Sequence, residues 1–163
     1  MSAPRVLLAG LLVVTALIVQ TTVLVRLNLP YGRPDLIVVI VAAVALAAGP
    51  GAGAGVGFAA GLSADLLADH PAGVLALVFC LVGYGAGMLP DAAERGPLLP
   101  LLVVAVASVA VLVGFAVLLG LIGSPRLDWR VVAASLPGAV AYDVILAVFV
   151  VPAVAALHRR LSP

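Results

Sequence analysis

Seven acidic side chains, two histidines and one cysteine hold most of the chemistry open to this chain of 163 residues. Asp65, Asp69 and His70 form the tightest cluster. Together they could start a metal site, but a closed site needs more ligands, and the other histidine, His158, stands near the far end of the sequence. No metal and no cofactor are expected. Cys80 is alone in an apolar run, so neither an internal disulfide nor a thiolate metal site can form. There is no lysine, no Gly-rich loop ahead of one, and no serine–histidine–acid spacing. Catalysis is therefore not expected.

Four polar residues stand where apolar sequence surrounds them. Gln20 lies inside the first apolar run, as an interfacial side chain or as a cross-helix hydrogen bonder. Asp35 immediately precedes the second run. Its default role is to cap a helix N-terminus; contact with a partner is the other reading. Asp65 falls near the end of a helical stretch, where a carboxylate opposes the macrodipole and so has no local reason to be. A solvated helix end is its default reading, and hydrogen bonding to a loop or a neighbouring helix is the second. Asp143 sits within the last apolar run, where a carboxylate costs roughly 2.5–3.5 kcal/mol at the bilayer centre and is a functional candidate by default. It either snorkels or bonds within the bundle. A proton or cation relay would want a second charge at the same depth, and the sequence reveals none.

The elements that carry these residues follow from composition. Hydrophobic residues make up 65% of the chain and charged residues 9%, against about 25% charged in a soluble domain. Such a chain cannot cover itself with polar surface in water. Its net charge of +1, without an internal basic cluster, argues against nucleic acid. About 20 apolar residues cross a bilayer core of roughly 30 Å. The apolar runs then read as one all-α transmembrane domain, 1–163, with spans near 6–25, 36–48, 52–67, 74–89, 98–122 and 137–157. The first is longer than the apolar core of a signal peptide and reads as a retained helix. The second and third are short. They either cross a thinned bilayer or turn back at residues 49–53 as a re-entrant hairpin, and two full spans are preferred. The acidic residues Asp91 and Glu94 suggest a short interfacial helix. The fifth run looks lipid-facing, with Ser108 and Gly114 its only notable small positions.

The most patterned stretch is residues 49–70. Gly49, Gly53, Gly57 and Gly61 recur every fourth residue, with Asp65 and Asp69 continuing the row. Residues four apart share a helix face. In water such glycines cost roughly 0.8–1 kcal/mol each against alanine. In lipid the same bare face lets another helix approach closely. This third helix is expected to be the hub of the bundle, with Gly83 and Gly87 of the fourth helix as its natural neighbours. Six spans place both termini on one side. Arginines Arg5, Arg95, Arg159 and Arg160 on that side balance Arg26, Arg33, Arg126 and Arg130 on the other, so the positive-inside rule leaves orientation nearly open.

Read together, Gln20, then Arg33-Pro34-Asp35-Leu36, the glycine row with Phe58, Leu62 and Asp65, Pro71-x-Gly73, Val82-Gly83-Tyr84, and a last helix containing Pro152 resemble the rod shape-determining protein MreD family. The resemblance implies a small polytopic protein of the bacterial inner membrane with cytoplasmic termini. It implies a bundle similar to the S components of energy-coupling-factor transporters. It also implies a non-catalytic scaffold of lateral wall growth, with MreC as partner alongside the RodA glycosyltransferase and its transpeptidase partner. Asp143 departs from the asparagine expected there in many relatives. On this reading Gly53, Gly57, Gly61, Gly83 and Gly87 pack helices or touch partners, and Gln20, Asp35, Asp65 and Asp143 are polar structural or contact positions. The alternative function is the substrate-binding component of a small-molecule transporter. It needs a polar-lined cavity, for which Gln20, Thr21, Thr22, Asp65 and His70 are the candidate liners.

Overall fold

A computed structural model describes residues 3–22, 32–67, 72–89, 96, 98–124 and 128–160. Every described element is a helix: α1 (Ala3–Thr22), α2 (Leu36–Ala48), α3 (Pro50–Leu67), α4 (Val74–Gly87), α5 (Leu98–Leu121) and α6 (Trp129–Arg160). Three of them, α1, α5 and α6, are long and apolar enough to cross a membrane, while α2 and α4 are shorter apolar helices. Asp69, His70 and residues 91–94 lie outside the described residues.

Two of the boundaries that differ from expectation have a clear local reason. Helix α3 begins at Pro50 rather than near residue 52. Proline suits the first helical position, where no N–H is needed, and Gly49 alone makes the break with a left-handed φ of 87°. Helix α6 begins at Trp129, about two turns before Pro137, and carries both Pro137 and Pro152 inside it. The Asp128 carboxylate accepts from the Arg130 N–H at 2.8 Å and caps that earlier start. Proline is tolerated within a membrane helix when neighbours satisfy the freed carbonyl.

The hub is α2, which corrects the expectation for α3. Helix α2 touches each of the other five, whereas α3 packs mainly on α4, α2 and α1. The cause is plain in the side chains. Helix α2 reads LIVVIVAAVALAA, apolar all round, and its residues from Ile37 to Ala45 are all buried. A helix without a polar face belongs in the middle. Helix α3 leaves Gly51, Gly55, Phe58, Leu66 and Leu67 exposed. Around α2 the order is α1, α3, α4, α5, α6. Arg5 and His158 come together where α1 starts and α6 ends, so the outermost described turns of the two terminal helices lie at the same end of the bundle. Helix α5 is not purely outward-facing: Val103, Val104, Ala107, Ser108 and Val111 are buried against its neighbours.

Candidate functional site

Helices α3 and α4 form the most extensive helix pair in the molecule. Their backbones meet along the glycine row. A Cβ added at Gly53 would strike the Gly83 carbonyl, its carbon 2.8 Å away, and one added at Gly83 would lie 2.7 Å from the Gly53 carbonyl carbon. A Cβ at Gly57 would lie 2.6 Å from the Phe79 carbonyl carbon, and at Gly61 2.6 Å from the Ala76 Cα. At the other end Gly87 meets Gly49 and Pro50, with Pro50 Cα 2.6 Å from the would-be Cβ. These are contacts no side chain could share, so the seam exists only because residues every fourth position lack one. The five glycines singled out from spacing thus meet partners inside this chain.

Asp65 closes the same seam. It is 2% exposed, so it is not a solvated helix end. Its Oδ2 accepts from the N–H of Gly73 at 2.8 Å and of Ala76 at 3.1 Å, and its Oδ1 from that of Leu75 at 3.2 Å. Gly73 itself turns the chain with a left-handed φ of 99° and offers no side chain for a cap. The orphan donors at a helix start must be satisfied somewhere when water is absent. The carboxylate that opposes the dipole of α3 therefore complements that of α4.

The start of α2 is capped in another way. Asp35 accepts at Oδ1 from the N–H of Ile37 at 3.1 Å and of Val38 at 3.4 Å, the capping role expected of it. Gln20 on α1 reaches across: its Oε1 accepts from the Leu36 N–H at 2.9 Å, and its Nε2 donates to the Pro34 carbonyl at 3.2 Å. These are cross-helix hydrogen bonds, one of the two readings of Gln20. Asp143 on α6 is 1% exposed and accepts the Asp35 N–H at 2.6 Å. It bonds within the bundle and does not snorkel. The Ser108 hydroxyl of α5 is buried and donates to the Val104 carbonyl at 3.0 Å. Each N–H from Asp35 to Val38 thereby has an acceptor, drawn from α1, α6 and Asp35 itself.

Two contributors escaped sequence reasoning. Gly32, at φ 135°, rests against the α6 backbone, where an added Cβ would lie 2.7 Å from the Ala139 nitrogen. Nothing in the local sequence marks a partner so far along the chain. Ser108 was noted as a small position, not as a buried hydroxyl, and that hydroxyl donates to the Val104 carbonyl. The group that Asp143 meets, which the sequence reading could not name, is the main-chain N–H of Asp35, brought there by the fold.

Of the proposed liners of a polar cavity, those among the described residues are otherwise engaged. Thr21 and Thr22 return their hydroxyls to α1 carbonyls, and Gln20 and Asp65 serve backbone groups of neighbouring segments. The groove of about 760 Å³ between α4 and α5 is lined by leucine, valine, alanine and glycine only. Among the described residues no group of three or more His, Cys, Asp or Glu is placed to hold a metal ion.

Fold and site together define a small all-helical membrane protein whose buried polar side chains brace its own backbone. Residues 3–161 match the family described as rod shape-determining protein MreD, and the chain belongs to that family. Its role is accordingly in rod shape determination, in a family not known for enzymes. No curated protein and no solved structure matches the chain.

Proposed function

We propose that this protein is a non-catalytic scaffold of the cell-elongation complex, multi-pass in the bacterial inner membrane. It holds MreC and works alongside RodA and its transpeptidase partner in lateral peptidoglycan synthesis. The observation that carries this reading is that Gln20, Asp35, Asp65 and Asp143 all satisfy backbone groups of the bundle, within a family of shape-determining proteins. Side chains committed to holding helices together favour a rigid body that others dock on. All six helices cross the bilayer in this reading, with both termini cytoplasmic and a bundle similar to that of the transporter S components.

Site-specific crosslinking from exposed positions on the bundle, such as Leu81 and Leu102, tests the partnership. Covalent products with MreC in cells are expected. Saturable small-molecule binding by the purified protein, with no MreC retained, would overturn the scaffold. Orientation has its own test. With Cys80 replaced, a cysteine at Gly51, which is exposed at the start of α3, should react with a water-soluble thiol reagent from the cytoplasmic side. Protection there would favour the re-entrant hairpin.

A further inference from the structure

The two terminal helices bring four basic side chains to one end of the bundle. Arg5 lies in the first turn of α1, and His158, Arg159 and Arg160 stand in the last turn of α6. Arg5 and His158 line one narrow cleft, and Arg159 and Arg160 follow, exposed. Cations in the last turn of α6 complement its dipole. Arg5 has no such support, because the first turn of α1 is the positive end of that helix. The acidic side chains are elsewhere. Among the described residues, Asp35 begins α2, Asp65 stands near the end of α3, Asp128 precedes α6, and Asp143 accepts the Asp35 N–H. All four lie toward the opposite end, where α1 finishes and α6 starts, and Arg33 and Arg130 are there with them.

Below the two basic groups the cleft is apolar. Leu8 and Leu12 of α1, Val44 of α2 and Val154 of α6 line it. Both α1 and α6 pack on α2 more than on each other, so the furrow between them opens sideways to the bilayer. Leu7 and Leu11 of α1 and Leu157 of α6 are exposed on its two helices. Cations at the mouth with hydrocarbon along the wall suit an anion that is itself amphipathic.

We propose that the paired ends of α1 and α6 bind an anionic phospholipid, its headgroup phosphate held by Arg5, Arg159 and Arg160 and one acyl chain lying along the α1–α6 furrow. Arginine suits the headgroup, since its planar fork binds phosphate oxygens in pairs. His158 adds a further ring nitrogen beside Arg5. The bound lipid ties the first helix to the last, two helices that otherwise meet chiefly through α2. A free phosphate ion shares the oxyanion chemistry; the apolar wall favours the lipid.

The test uses the full chain in detergent micelles, with thermal unfolding followed by the fluorescence of Trp129, the single tryptophan. Three additions are compared at equal ionic strength: phosphatidylglycerol, phosphatidylcholine with the same acyl chains, and inorganic phosphate. Phosphatidylglycerol should raise the melting temperature saturably, by about 3–6 °C, and the other two by much less. Native mass spectrometry should show phosphatidylglycerol retained on the folded protein. Arg5→Gln, and separately the exposed pair Arg159→Gln with Arg160→Gln, should weaken that binding about fivefold for each arginine removed. Arg130→Gln, at the other end of α6, should bind as the wild type does. The mass measurement reads bound lipid directly, so a variant with altered melting still reports on the site. An equal rise with phosphatidylcholine, or unchanged lipid retention in the Arg5 and Arg159–Arg160 variants, would overturn the proposal. So would a full rise with inorganic phosphate alone, since the acyl chain would then contribute nothing.

Discussion

Two regions of this bundle begin a helix away from water, and they solve that problem in opposite ways. The α3–α4 hairpin is self-contained: its glycine seam and its cap, Asp65, all lie between residues 49 and 87. The start of α2 borrows from everywhere. Gln20 comes from α1, and Asp143 of α6 is 108 residues away from the amide it receives. The first region is specified by what its side chains lack, the second by a few polar atoms placed with care. A local hairpin can form early and alone, because closing a short loop costs little entropy. The α2 start can be completed only when α1 and α6 are in place, so it reports on assembly of the whole.

The largest expected effect comes from filling the seam. Gly57→Leu or Gly61→Leu would force the α3 and α4 backbones apart, since even a Cβ lies 2.6 Å from Phe79 or Ala76 main-chain atoms. Overpacking costs about 1–3 kcal/mol where side chains can yield; here the neighbour is backbone, and little or no monodisperse protein should be recovered from membranes. Normal yield and melting temperature in both variants would remove the seam from the account. Next is Asp65→Ala, which strips acceptors from three backbone donors at once. A loss of about 2–4 kcal/mol is expected from the summed cost of unsatisfied groups, with Asp65→Asn intermediate. Hydrogen exchange should show the loss first in the opening turn of α4.

These two regions also differ in how far the sequence disclosed them. The glycine row was readable because its period matches a helix face, and the small residues opposite, Gly83 and Gly87, follow within one hairpin. Asp35 was readable because a cap and its helix are adjacent. Asp65 was noticed but mis-set. Judged against its own helix it looked stranded at the wrong end of a dipole; the helix it serves is the next one. Asp143 was recognised as costly, yet its partner could not be named, since nothing local connects position 143 to position 35. The hub was misplaced for a related reason. Pattern drew attention to α3, but the centre went to α2, whose unbroken apolar sequence carries no pattern at all.

A smaller effect separates the regions further. Asp143→Leu leaves the Asp35 N–H without its acceptor and should cost about 1–3 kcal/mol. Asp143→Asn should be milder, because the amide oxygen can still accept. Thermal unfolding of the two proteins in the same detergent decides it. Equal losses would show that the negative charge itself is required at neutral pH.

The smallest effect is the sharpest control on the seam. Gly55 lies on the same helix as Gly57, but an added Cβ there meets nothing within 4 Å. Gly55→Ala should therefore gain from helix propensity, by up to about 1 kcal/mol, while Gly57→Ala, two residues on, should lose by clashing with Phe79. The same chemical change on one helix then carries opposite signs, and only the neighbour differs. If both variants instead lowered the melting temperature alike, the glycines would be needed for the pliability of α3 and not for its contact with α4. The contrast between a seam made of absent side chains and a knot made of present ones would have to be redrawn.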